Sequence, residues 1–291
     1  MLKKFKYIIC TFVVVCFILV SSGCTNDSMD NIDVIVTNYP NEYVVKMLFS
    51  DHATISSIYP DGVDINNYKI SKKQKKDFAN KDLFVYNGLL EKERNLAIEL
   101  LSINQNLKII DTANVLETDY SPEELWLNPS SLLMMSQNVR KGLNEYIVNN
   151  YLKKEVDDKY EELKIKLSEL DAEYRAAADS TDSKTIVVAD SALKYLEKFG
   201  LNVICIDTDA SQKEISLAEE AFDNEDASYI ITFIGEEDND NVKSLMSDYE
   251  NVKKIELHKL ENLTDEERSS DKNYETILRD NLELIKKELY Q

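Results

Sequence analysis

The chain has 291 residues, with 34 Lys and Arg against 54 Asp and Glu and a formal charge of −20. So acidic a chain repels nucleic acid and anionic lipid headgroups, and it tolerates or attracts cations. Its length is too great for one typical domain and suits two.

In chain order, residues 1–23 read as a signal peptide. "MLKKFK" is a basic start, and "YIICTFVVVCFILV" is an apolar run too short for a comfortable membrane span. "SSGC" then looks like a lipobox, with cleavage before Cys24 and a lipid on its thiol. That places the rest of the chain on the outer face of the cytoplasmic membrane. Cys10 and Cys16 leave with the signal, so Cys205 in "NVICID" is the one remaining thiol, expected in the core, and no disulfide is expected. Residues 24–30 form a lipidated tether.

From residue 31 to 128, β-branched and aromatic runs alternate with helical spacing. "DVIVTNY", "ATISSIY", "DLFVYNG" and "LKIIDTA" are strand candidates, with helices "NEYVVKMLFS", "SKKQKKDFANK" and "LEKERNLAIELLS" between them. His52, just before the second strand, is expected to be exposed. Residues 129–183 are a helical connector opened by Asn128 as N-cap and Pro129 in the first turn. Its second helix carries Val156, Tyr160, Leu163, Leu167, Leu170, Tyr174 and Ala177 on one face. From Lys154 to Asp179 it would span about 40 Å. The alternation returns over 184–291 with "KTIVVAD", "LNVICIDT", "SYIITFIG" and "VKKIELH", without a strong sequence repeat. The expected fold is α/β: two lobes, each with a four-stranded mainly parallel sheet, joined by a long rigid helix.

In open α/β sheets, ligands bind beyond the carboxyl ends of the strands. Four places stand there: the loop "YPDGVDINNYKIS", the segment "SPEELWLNPSS", Asp190 in "VVADSALKYL", and His258 in "IELHKL". No nucleophile elbow, Cys–His pair or phosphate-cradling glycine loop appears, so an enzyme is not expected.

Taken together these motifs resemble the metal-binding receptors of ABC importers, the zinc- and manganese-type lipoproteins of cluster A-I. "VTNYP", "PDGVDINNYKIS", "KDLFVYNGLLEK", "WLNPSSLLMMSQNV", "ADSALKYLEKFGL" and "KNYETILRDNLELI" match that family in the correct order. The resemblance implies a monomer that captures a divalent metal between its lobes and delivers it to a permease and its ATPase, without organic cofactor. It also implies a ligand set at Asn66, Glu124, Asp190 and His258. All four depart from the usual zinc-type His, His, His, Asp.

Two readings of that set stay open. Rebuilt from an amide, two carboxylates and an imidazole, the site suits harder ions such as Mn²⁺, with zinc less favoured. Alternatively the metal site has decayed: Asn66 closes its loop, Glu124 is a solvated acid, Asp190 is an N-cap and His258 a surface strand end. The cleft could then hold another small solute, lined by Tyr39, Tyr68 and Trp126, or the chain could serve as an adhesin-like surface lipoprotein.

Overall fold

The computed structural model describes residues 27–181 and 184–290, so the signal peptide and Cys24 lie outside the described residues. The first lobe runs β1 (Ile32–Val36), α1 (Tyr39–Phe49), β2 (Ala53–Ser57), α2 (Lys72–Ala79), β3 (Leu83–Tyr86), α3 (Glu91–Ile103) and β4 (Lys108–Asp111). A short α4 (Glu124–Leu127), α5 (Pro129–Tyr146) and α6 (Asn150–Asp179) follow. The second lobe runs β5 (Thr185–Val188), a 3-10 segment (Ser191–Phe199), β6 (Asn202–Cys205), α7 (Gln212–Asp223), β7 (Tyr229–Phe233), α8 (Asp240–Asp248) and β8 (Lys253–Leu257). It closes with α9 (Asp265–Ser269) and α10 (Tyr274–Leu289).

Each sheet is wholly parallel, in the orders β2-β1-β3-β4 and β6-β5-β7-β8. All four residues of β3 are buried, as expected where helices cover both faces of a parallel sheet. Shared strand order gives each lobe a topological switch between its first and third strands. The ligand-prone crevices therefore open beyond β1/β3 and β5/β7.

Local chemistry starts the helices where the sequence suggests. Asn128 Oδ1 accepts from Ser130 N at 3.1 Å, with Pro129 opening α5. Ser71 with Gln74, Ser211 with Glu214 and Thr264 with Glu267 form capping boxes. Gly142 lets α5 approach β4 closely, since a Cβ there would lie 2.6 Å from Ile110 Cγ1. The expected helix "SALKYLEKF" is a 3-10 segment, ended by Gly200 at φ +86°.

α6 begins at Asn150, capped by Asn149, and its 30 residues reach about 45 Å. Its apolar stripe from Val156 to Ala177 is buried. One continuous apolar cluster holds Val34 and Val85 of the first sheet, Val188 and Ile231 of the second, and this stripe between them. The connector thus shares a core with both lobes. His52 is not exposed as expected: its Nδ1 lies 2.9 Å from Asp30 Oδ1 and its Nε2 3.2 Å from Glu155 Oε2, tying the start of β2 to α6. Cys205 is buried, and burial pushes its thiol up to about 12, so it is an inert core residue. No helix among the described residues is long and apolar enough to cross a membrane.

Candidate functional site

The loop after β2 turns at Gly62, whose φ of +70° suits glycine. Its N–H donates to Leu263 O at 2.9 Å, so this turn of the first lobe docks on the segment that follows β8. Asn262 Nδ2 reinforces the contact by donating to Pro60 O at 2.8 Å. Further along, Asn66 is exposed, and its N–H donates to Asp64 Oδ1 at 2.8 Å in an Asx turn. Tyr68 is half-buried, edge-on to Tyr59, with its hydroxyl accepting from Gln74 Nε2 at 2.8 Å.

Glu124 opens α4 and is buried rather than solvated. Its Oε1 accepts from Tyr120 N at 2.6 Å and Ser121 N at 2.7 Å, closing its own turn. Trp126 is fully buried, and its Nε1 donates to Lys259 O at 3.0 Å. Tyr274 hydroxyl donates to Trp126 O at 2.6 Å, so the indole wedges between the lobes as core. Tyr39 is also buried, and its N–H donates to Glu261 O at 3.0 Å.

Asp190 lies two residues beyond β5 and caps the 3-10 segment, Oδ1 accepting from Ala192 N at 2.8 Å. Its Oδ2 lies 3.7 Å from Lys259 Nζ. His258 is half-buried rather than a surface strand end. Its Nδ1 accepts from Leu260 N at 2.9 Å and its Nε2 lies 3.1 Å from Glu267 Oε1. The Leu260 bond fixes the neutral tautomer with its proton on Nε2. Burial holds the imidazole below its ordinary pKa against the pull of Glu267.

The fold therefore gathers Asp190, Trp126 and Tyr39 around the segment after β8. It leaves Asn66 in solvent and commits Glu124 Oε1, Asp190 Oδ1 and both ring nitrogens of His258 to internal contacts. Among the described residues, no three His, Cys, Asp or Glu side chains are arranged to hold a metal ion.

The acids of this region gather instead around a residue that sequence reasoning missed, Lys259, with Glu261 two positions on. Lys259 Nζ lies 2.8 Å from Glu236 Oε1 after β7, 3.7 Å from Glu261 Oε1, and 5.3 Å from the centroid of the Phe233 ring. Burial would lower its pKa, but the carboxylates of Glu261, Glu236 and Asp190 hold it above the ordinary value. Burial pushes Glu261 up to about 7; Lys259 opposes this, while the charges of Glu123, Glu236 and Asp64 add to it. A faint signal exists in "HKLENL": Leu260 and Leu263 are core residues, so Glu261 between them and Lys259 beside Leu260 must lie near the same buried surface.

Comparison with known proteins agrees with this architecture. The family model for ZnuA, described as the periplasmic zinc-uptake complex component A, matches residues 34–288. A metal ABC transporter substrate-binding lipoprotein of Lactococcus lactis subsp. lactis is 28% identical over 220 residues, covering 68% of this chain and 69% of that one. The zinc-binding protein AdcA of Streptococcus pyogenes is 24% identical over 296 residues, 88% of this chain but 55% of that protein, so the chain spans about half the length of this relative. The fold matches the Zn(II)-bound ZnuA-like domain of Streptococcus pneumoniae AdcA with a TM-score of 0.72 at 22% identity, covering 90% of this chain and 100% of that domain. The family is one of substrate-binding transport proteins and not of enzymes. With the match running from β1 into α10, this chain belongs to the ZnuA family of zinc-uptake complex components.

Proposed function

We propose that this protein is the extracytoplasmic receptor of an ABC importer, lipidated at Cys24 on the outer face of the cytoplasmic membrane. As a monomer it captures a divalent metal ion, of zinc or manganese type, between its lobes and hands it to the permease driven by its ATPase. The observation that carries this reading is the family match over residues 34–288 on a fold of two parallel-sheet lobes, and the charge around Glu261 adds to it. Asp64 after β2, Glu123 beside α4 and Glu236 after β7 all bear on buried Glu261 after β8. Four separate elements thus direct negative charge at one sheltered point, where the ammonium of Lys259 offsets it in the metal-free chain.

The mechanism is capture and release, with no bond chemistry. The proposed ligands are Asn66, Glu124, Asp190 and His258, with Glu261 added. Binding asks Glu124 to leave Tyr120 and Ser121, and His258 to leave Leu260 or Glu267. Oxygen donors dominate the set, which favours harder ions over a three-imidazole site. Each acidic or imidazole ligand must be deprotonated, so acid weakens binding.

The test is thermal unfolding of the chelator-stripped chain with Mn²⁺, Zn²⁺, Fe²⁺, Co²⁺, Ni²⁺, Ca²⁺ and Mg²⁺ in turn. Binding at a hundred times Kd adds about 2.7 kcal/mol, a rise in Tm of about 5–10 °C for a domain of this size. A rise with Zn²⁺ or Mn²⁺ that Asp190→Ala abolishes is the expected result. No rise with any ion overturns the reading.

A further inference from the structure

The carboxylates of this cleft are not left waiting for an ion from outside. Lys259 stands among Asp190, Glu236 and Glu261, with its ammonium 5.3 Å from the centroid of the Phe233 ring. Its side chain is only 17% exposed. An ammonium enclosed by carboxylates on several sides and an aromatic face on another has the surroundings of a bound cation. The backbone around it joins the lobes. Lys259 O accepts from Trp126 Nε1, and two residues on Glu261 O accepts from Tyr39 N. The ion pairs of Lys259 therefore hold second-lobe carboxylates to the strap that closes on the first lobe.

We propose that Lys259 fills the cation position of this carboxylate cluster with a cation of its own, bracing the strap that bonds the first lobe in the metal-free protein and determining which ions gain entry. Resting on the reading of the cleft as a metal site, the consequence for binding is competition. An incoming divalent ion must displace the ammonium before it meets the proposed ligands Asp190 and Glu261. A tethered cation is present at an effective concentration that free ions cannot match while dilute. It acts as a threshold: weakly held ions are turned away, and an ion enters only when its bonds to the carboxylates exceed those of the ammonium. It also explains why the acids converge without forming a ready-made metal group, since their geometry is set around a nitrogen.

The experiment compares the full chain with Lys259→Met, which keeps the bulk and removes the charge, and Lys259→Arg, which keeps the charge. Amide hydrogen exchange is followed in metal-free protein at Tyr39 and Gly62, whose N–H groups bond Glu261 O and Leu263 O across the cleft. Exchange at both amides is expected to rise at least about tenfold in Lys259→Met and to stay near the parent rate in Lys259→Arg. Titration calorimetry with Zn²⁺ and Mn²⁺ chloride is then expected to show at least about tenfold tighter binding to Lys259→Met. Unchanged exchange in Lys259→Met, or equal loosening in Met and Arg variants, overturns the proposal whatever the metals do. Loosening in Lys259→Met with unchanged metal affinity also overturns it, because the ammonium would not be competing. Loosening confined to Lys259→Met, with neither metal bound by any variant, supports the tethered cation and removes the metal reading instead.

Discussion

Glu93 is a fully enclosed carboxyl at the switch between β1 and β3. Its Oε2 accepts from Thr37 Oγ1 at 2.6 Å and Asn87 N at 2.7 Å, and its Oε1 has no partner. Burial pushes its pKa from 4.5 up to about 7, more than these two bonds pull it down. Because the folded value exceeds the unfolded one, the folded state holds the extra proton between them. The penalty is absent below about pH 4.5, grows as pH rises to about 7 and is then constant. Its full size is on the order of 3 kcal/mol. Glu93→Gln keeps an acceptor for Thr37 and Asn87 without the charge. Urea unfolding is expected to find it more stable than the parent by about 2–3 kcal/mol at pH 8, and equal within error at pH 4.5. A Gln variant less stable at pH 8 would mean that the carboxylate is matched by a partner. Nothing in "NGLLEKERN" marks Glu93 as buried while Glu91 is exposed; only the turn of α3 onto Asn87 decides it.

At the scale of elements, α6 is where pattern and packing agree most closely. All the apolar steps read from the sequence are buried, with Leu152 and Ala178 added at the ends, and Leu163 at the middle is wholly inaccessible. Truncating it leaves a cavity that neither lobe can collapse into without moving the other. Leu163→Ala is expected to cost about 3–5 kcal/mol, read by denaturant unfolding. Because the stripe belongs to one core with both sheets, the loss should appear as a shifted single transition. Separate transitions for the two lobes would refute that coupling. The eight strands were legible for a related reason: short β-branched runs between helical stretches permit few other folds. The strap after β8 was not, because it has no period. Leu260 takes φ +63°, and the course of the strap follows from contacts distant in sequence, with Trp126, Tyr39 and Gly62. The candidate site suffered in the same way. Asp190 could be placed from its strand end, whereas Lys259 and Glu261 gain meaning only once the strap crosses between the lobes.

For the whole molecule, two constraints bear on how far the lobes can move. One is α6, a single helix of about 45 Å packed on both. The other is Arg268 of α9, in the second lobe. Its Nη1 and Nη2 donate to Glu42 Oε1 and Oε2 at 2.8 and 2.9 Å, and its Nε lies 2.7 Å from Asp61 Oδ1. Glu42 is buried on α1 and held below the ordinary carboxylate range by Arg268 and Lys46, despite its burial. Parting the lobes at this point would strand that charge, which typically costs several kcal/mol. A wide hinge swing would have to break this bidentate pair, the Gly62 and Tyr39 backbone bonds, and the apolar stripe together. Ion capture is therefore expected to work by local exchange around Lys259 and small tilts of the second lobe. Solution scattering of the chain stripped by chelator and then saturated with Zn²⁺ or Mn²⁺ should give superimposable curves. A clear fall in radius of gyration on adding the ion would show an open metal-free state, and would leave neither Arg268 nor α6 as the restraint on closure.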